Sequence, residues 1–239
     1  MARSTEIGQP LAALGVLSAA PYIARRTAIR GSWMQYPEVR QGDVLVRFVV
    51  GVQKSGPFFS QLQMEHSEHQ DIEMVKTNRT NRRWGPFFTT VRWLQIAATV
   101  HPYRNAAYAA KLDDDCFINV PELTVHLQLL RDRPMVYYGV FYYAQWDKSG
   151  YSVAAAGYSM RVKRRQGACN CSKPYPFAAA PAQILSADLT AAIATSPMVN
   201  EYIKAAGNLL ADPQQGNRSS EPAAEDSFIG VSFFCLSPP

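Results

Sequence analysis

Long apolar runs are missing from this chain. No stretch reaches the roughly 18 to 20 apolar residues that a bilayer-spanning helix needs. The nearest, from Leu11 to Ala24, is too short, holds Pro21 and runs into Arg25 and Arg26. No basic segment leads into it, so it does not read as a signal peptide. Cysteine is scarce, with four in 239 residues, which excludes a disulfide scaffold. Cys169 and Cys171 lack the two-residue gap of a zinc site, and Cys116 reads as a free, buried thiol. Histidine is as rare: His66, His69, His101 and His126 are scattered and make no HExxH motif. No repeat of solenoid or propeller length occurs. An excess of one charge is also lacking. Lys and Arg number 24 against 19 Asp and Glu, a net +5 that favours anionic ligands such as phosphates without calling for nucleic acid. With 47% hydrophobic and 18% charged residues, the chain is neither disordered nor a coiled coil.

What is present alternates. Gly15 to Tyr22 reads as a buried strand that leads into a basic helix start. Asp43 to Gly51 has the β-branched run of a buried parallel strand. A polar helix over Phe59 to Glu68 and a short strand over Asp71 to Val75 follow, then a basic loop over Arg79 to Arg83. Phe87, Val91, Leu94 and Ala98 form the apolar stripe of a helix. Tyr108 to Leu112 is a strand that ends directly in Asp113-Asp114-Asp115. Asn119 and Pro121 open a helix whose apolar face holds Leu123, Leu127 and Leu130. Met135 to Tyr143 is β-rich, and Ser186 caps a helix reaching Thr195. A polar loop over Gly207 to Ala224 precedes a last helix over Glu225 to Phe234. Strand–helix alternation predicts an α/β layered fold with a largely parallel sheet, whose ligands gather at the carboxyl ends of the strands. No linker is visible before about residue 207, so residues 1–239 are expected to form one domain, with its core at about 15–234.

The acidic triplet carries most of the chemistry. Three adjacent carboxylates repel one another unless a cation compensates, and hard oxygen ligands suit Mg²⁺ or Mn²⁺. On extended backbone Asp113 and Asp115 point to one side and Asp114 to the other. A solvated acidic turn is the bland reading, and placement at the end of an apolar strand weighs against it. In Arg25-Arg26-Thr27-Ala28-Ile29-Arg30, Arg26 and Arg30 share a helix face, and two guanidiniums beside a strand end suit a diphosphate. A solvated basic face is the competing reading. Glu225-Asp226 offers a general base ahead of an apolar helix, although helix capping explains it equally well. The run Arg161 to Arg165 reads as a solvated basic loop. Sequons at Asn78, Asn170 and Asn217 lean toward the secretory route.

Taken in order, these segments resemble the β-1,3-galactosyltransferase family, glycosyltransferase family 31. Arg25 to Trp33 (RRTAIRGSW) is similar to its RR-x-A-I-R-x-T-W segment, and Glu68 to Ile72 to its E-x-x-D-I strand entry. Lys111 to Asn119 (KLDDDCFIN) is similar to its K-x-DDD-x-F-x-N motif. Ile184 to Leu189 is similar to Y-V-L-S-x-D-L, and Glu225 to Gly230 to E-D-V-x-x-G. Departures from the pattern are Phe177 to Ala182 (FAAAPA) where the family carries glycines, Ser232 where it carries a cysteine, and the lack of a lysine near Thr89 or Thr90.

The resemblance implies a GT-A-like, Rossmann-type nucleotide-sugar-binding fold with a mixed, mainly parallel sheet flanked by helices. It implies an inverting hexosyltransferase that takes a UDP-sugar donor, a glycan or glycoconjugate acceptor and Mn²⁺, with Mg²⁺ as a substitute. By position, Asp115 and Asp113 would bind the metal, and Asp113 would also face the nucleotide ribose. Arg25, Arg26, Arg30, Ser32, Asp113 and Asp114 would line the nucleotide-sugar pocket, and Asp226 would be the catalytic base. The family is tethered in the Golgi by an N-terminal membrane anchor, so the chain is expected to be a catalytic core without that anchor or the last part of the domain. A catalytically inactive sugar-nucleotide or glycan-binding relative is the alternative. A metal-dependent phosphoryl-transfer or nucleic-acid enzyme is disfavoured, because no second spaced set of carboxylates exists for a two-metal site.

Overall fold

The computed structural model describes residues 9–52, 56–76, 85–144, 175–197 and 199–200. The elements run β1 (Ala12–Ser18), α1 (Ile23–Arg30), α2 (Pro37–Arg40), β2 (Val44–Val52), α3 (Phe59–His69), β3 (Ile72–Lys76), α4 (Gly85–Thr99), β4 (Tyr108–Asp113), α5 (Val120–Leu129), β5 (Tyr137–Ala144), β6 (Tyr175–Ser186) and α6 (Ala187–Thr195). One sheet has the order β3-β2-β1-β4-β6-β5. β1 pairs in parallel with both β2 and β4, and β2 in parallel with β3. β6 is antiparallel to both of its neighbours. This is the mixed, mainly parallel α/β sheet flanked by helices that the sequence predicts, of the GT-A-like kind.

The two faces of the sheet are covered by different helices. On one, Val16, Phe48 and Leu112 pack with Ile29 and Trp33, with Leu62 of α3 and with Leu123 and Leu127 of α5. On the other, Val49 and Ala109 pack against Phe87, Val91, Trp93 and Leu94 of α4 and against Leu189 and Ile193 of α6. The chain therefore winds one way from β1 to β2 and β3, and the other way once α4 crosses to β4. The direction changes between β1 and β4, whose carboxyl ends carry Ser18 and Asp113. A crevice at such a switch point is where an open α/β sheet binds its ligand. Among the described residues no helix is long and apolar enough to cross a membrane.

Three details depart from expectation. β1 begins at Ala12 rather than Gly15 and ends at Ser18. The carbonyls of Ala19 and Ala20 turn away from the ladder to accept from Arg26. β6 was legible only as a motif, because Pro176 and Pro181 argue against a central strand. The strand tolerates them through an irregularity: Gly139 pairs with Gln183, but the next residue, Val140, pairs with Ala179. A Cβ on Gly139 would lie 2.7 Å from the Ala182 carbonyl oxygen, so only glycine permits this crossing. Ser186 does precede α6, yet its side chain makes no cap bond. Its hydroxyl instead accepts from the Val136 amide, while Asp188 accepts from the amides of Met135 and Leu189. Burial pushes the Asp188 carboxyl up, but these bonds and the Ser186 hydroxyl hold it below its ordinary value.

Gly15 shows how tightly the second face is packed. The Trp93 indole lies against it, and a Cβ would sit 2.3 Å from the ring. The indole N–H donates to the Ala110 carbonyl at 2.7 Å, so the ring has no room to retreat. Gly15→Ala is expected to cost about 2 kcal/mol, the usual scale of overpacking, read as a lower urea midpoint. In a Trp93→Leu background the same change should cost less, since residues in contact couple. Equal costs in the two backgrounds would contradict this packing account.

Candidate active site

The site starts from the two strand ends. β4 is apolar up to Leu112 except for Lys111, and it delivers Asp113, Asp114 and Asp115 into a turn. Lys111 is buried in the sheet, and its ammonium lies 2.8 Å from Asp113 Oδ1. Asp114 points inward, its side chain only 7% exposed. It accepts from the Ser18 hydroxyl at 2.7 Å and from Arg25 Nη1 at 2.5 Å. Asp115 is the open one, 64% exposed, with long contacts from Arg25 at 3.4 Å and from the Cys116 thiol at 3.7 Å. The neighbouring backbone is held from the other side by Trp33, whose indole N–H donates to the Cys116 carbonyl at 3.3 Å.

The arginines of α1 play three different parts. Arg25 is half exposed, stacks on the Tyr22 ring and reaches Asp114 and Asp115. The hydrogen bond and charge of Asp114 raise its pKa above the ordinary value. Arg26 is wholly buried. Nε donates to Glu65 Oε1, Nη2 to Glu65 Oε2 and the Ala20 carbonyl, and Nη1 to Ser18 Oγ and the Ala19 carbonyl. A guanidinium has five N–H donors, and all are used. Arg30 shares Glu65 and forms a fork with Asp71, at 2.7 and 2.8 Å. Burial disfavours the charge of Arg30, but Asp71 and Glu65 more than offset it and raise its pKa.

The expected set therefore does not converge as a whole. Asp113, Asp114, Asp115 and Arg25 come together. Arg26, expected in the nucleotide pocket, has no donor left for a ligand, and Arg30 is directed at Asp71. Ser32 lies past the far end of α1, where its hydroxyl donates to the Ala28 and Ile29 carbonyls. Asp226, the three sequons, Arg161 to Arg165 and the other three cysteines lie outside the described residues.

Cation fit follows from the donor set. Asp113, Asp115 and Cys116 bring one ligand atom each within 4.8 Å of one another. Cys116 is half-buried rather than buried. Burial and the charges of Asp113 and Asp115 push its thiol up to about 11, so it is a thiol at neutral pH. What remains is carboxylate oxygen, the ligand of hard divalent ions. Among the described residues, Arg25, Arg26, Arg30 and Lys111 face Glu65, Asp71, Asp113, Asp114 and Asp115.

A sequence model described as Galactosyltransferase matches residues 24–207, a range that holds the α1 arginines, Glu65 and the acidic triplet. The chain belongs to the galactosyltransferase family. This galactosyltransferase-family chain is 30% identical over 129 residues to beta-1,3-galactosyltransferase GALT1 of Arabidopsis thaliana, covering 53% of the chain and 19% of that protein. It is 31% identical over 119 residues to beta-1,3-galactosyltransferase 4 of Rattus norvegicus, covering 49% and 30%. With beta-1,3-galactosyltransferase 6 of Mus musculus it shares 27% over 195 residues, covering 80% and 54%. The chain thus spans between about a fifth and about half of the length of these curated relatives.

Two residues of this candidate site escape a motif reading. Ser18 looks like an ordinary strand end, and Glu65 lies in a helix read as polar. The available signal was spacing: Glu65 falls three residues after Leu62, on the one buried face of α3. Burial pushes the Glu65 carboxyl up, and the bonds and charges of Arg26 and Arg30 more than offset this, so it titrates below its ordinary value. A depressed carboxylate stabilises the fold above its unfolded pKa and loses that contribution as pH falls through its folded pKa. Glu65→Gln should therefore cost about 3 kcal/mol at pH 7, since it strands buried guanidiniums. The gap to wild type should narrow as denaturation is repeated from pH 5 down to pH 3. A gap that stays constant or widens on acidification would refute the assignment.

Proposed function

We propose that this chain is the donor-binding core of an inverting glycosyltransferase. It moves a hexose, galactose or N-acetylhexosamine, from a UDP-sugar to a hydroxyl of an acceptor glycan in β-1,3 linkage. The observation that carries this reading is the splitting of the acidic triplet at the β1–β4 switch point. Asp114 is turned in and paired with Arg25 and Ser18, whereas Asp113 and Asp115 stand on the more open side. Membership of the galactosyltransferase family supports the reaction class.

In this reading Asp113 and Asp115 hold a divalent cation, Mn²⁺ or Mg²⁺, which when bound offsets the charge developing on the UDP diphosphate. Asp113 also faces the ribose. Arg25, the most exposed of the three arginines and adjacent to Asp115, contacts the phosphates; Tyr22 beneath it keeps the guanidinium extended. Asp226 takes the proton of the acceptor hydroxyl. That oxygen bonds to the anomeric carbon from the face opposite the diphosphate, the carbon–phosphate-oxygen bond breaks, and configuration inverts. Holding donor and acceptor in line removes much of the entropic barrier. By the same resemblance the enzyme works in the Golgi lumen, on glycans of proteins or lipids.

The test is transfer of radiolabelled sugar from UDP-galactose and UDP-N-acetylglucosamine to glycan acceptors in the presence of Mn²⁺. Asp115→Asn and Asp226→Asn are each expected to lower kcat/KM by at least about 100-fold, the scale of losing a charge-stabilising or proton-accepting group. EDTA should abolish transfer and Mn²⁺ restore it. UDP binding that needs Asp115 but gives no turnover would instead identify a non-catalytic sugar-nucleotide binder. Absence of both binding and turnover would overturn the proposal.

A further inference from the structure

Glu65 is the deepest carboxylate in the neighbourhood and has no place in the chemistry above. It nevertheless connects to the open carboxylates through an unbroken series of contacts. Its two oxygens receive Arg26 Nε and Nη2 at 2.9 and 2.6 Å. Arg26 Nη1 donates to Ser18 Oγ at 3.0 Å. Ser18, its lone pair thus engaged, donates to Asp114 Oδ2 at 2.7 Å. The other oxygen of Asp114 holds Arg25, which also reaches Asp115. Every donor direction along this path is set. An arginine has only donors, so Ser18 must accept from it and its single proton must go to Asp114.

We propose that Glu65 is a positioning residue for the cation site, acting through Arg26 and Ser18 on Asp114 and, through Arg25, on Asp115. The proposal rests on the reading that Asp113 and Asp115 bind a divalent cation. Two effects follow from the geometry. The first is orientation: Arg26, clamped by Glu65, keeps the Ser18 hydroxyl aimed at Asp114. That leaves only Oδ1 of Asp114 to hold Arg25 beside Asp115. The second is charge partition. Glu65 is the counter-ion of two guanidiniums, Arg26 and Arg30. Without its charge, the nearest carboxylate connected to Arg26 is Asp114, one serine away. A guanidinium drawn to Asp114 would displace Arg25 toward Asp115, the oxygen site a cation needs. The same buried arginine then either supports the site or competes with the metal, depending on Glu65.

The experiment is calorimetric titration of the purified chain with Mn²⁺ alone, with thermal unfolding measured in parallel. In Glu65→Gln, Mn²⁺ affinity is expected to fall at least about tenfold while the far-UV spectrum stays native. Ser18→Ala, which leaves the Glu65–Arg26 fork in place, should reproduce a several-fold part of that loss. Glu65→Gln added to Arg26→Met should weaken Mn²⁺ no further than Arg26→Met alone, because the charge to be restrained is gone. A merely structural Glu65 would lower the melting temperature and leave Mn²⁺ affinity within twofold in all three comparisons, and that result overturns the proposal. If Glu65→Gln does not fold, the Ser18→Ala titration decides: affinity within twofold of wild type overturns it. Failure of the wild-type chain itself to bind Mn²⁺ would overturn the functional reading, and this inference with it.

Discussion

Crowding of like charge at the end of two adjacent strands is the constraint that the surrounding structure answers. Asp113, Asp114 and Asp115 leave β4 within a single turn, beside the end of β1. Taking even one carboxylate out of water without a partner costs several kcal/mol. The response is graded by depth. Asp114, the most buried of the three, receives a serine hydroxyl and a guanidinium. Asp113, half out, receives the buried Lys111. Asp115, in solvent, receives only long contacts from Arg25 and the Cys116 thiol. The gradient leaves Asp115 as the carboxylate of the triplet most open to solvent.

That arrangement then dictates what lies beneath it. The loop from β1 to α1 must bring Ser18 under Asp114, so its Ala19 and Ala20 carbonyls leave the strand ladder and need donors. Arg26 supplies them, and being fully buried it needs its own anion, which α3 provides as Glu65. Arg30, one turn on, shares Glu65 Oε1 with Arg26 and takes the Asp71 that precedes β3. Helix α1, helix α3 and the entrance to β3 are thus fastened together by ion pairs that trace back to the acidic turn. Replacing such buried pairs by apolar residues often raises stability. Their presence here is better explained by the placing of charge than by holding the fold together.

Much of this is legible in the order of residues. The strand–helix alternation, the parallel core strands and the end of β4 in the triplet follow from hydrophobic period and turn chemistry, and the sheet obeys them. β6 was not legible as a strand, because its two prolines deny ladder donors and only the neighbouring Gly139 makes the resulting irregularity possible. Ser186 was legible as a helix start but not as to how the start is satisfied, because a competing amide from Val136 reaches its hydroxyl first.

By itself the sequence determined which residue types stand at the strand ends: three aspartates after β4 and three arginines after β1, with Arg26 and Arg30 on one face. These are consequences of local period, and local period is written in the order of residues. Tertiary structure alone decided which of them face solvent and which are buried. Arg26 is partnered by a glutamate 39 positions away, and Asp114 by a serine 96 positions away. Partners so distant are chosen by how α3 and β1 pack against the sheet. A buried ion must take whichever counter-charge that packing brings within reach. Three arginines that look interchangeable in the sequence thereby become one surface contact and two interior fastenings.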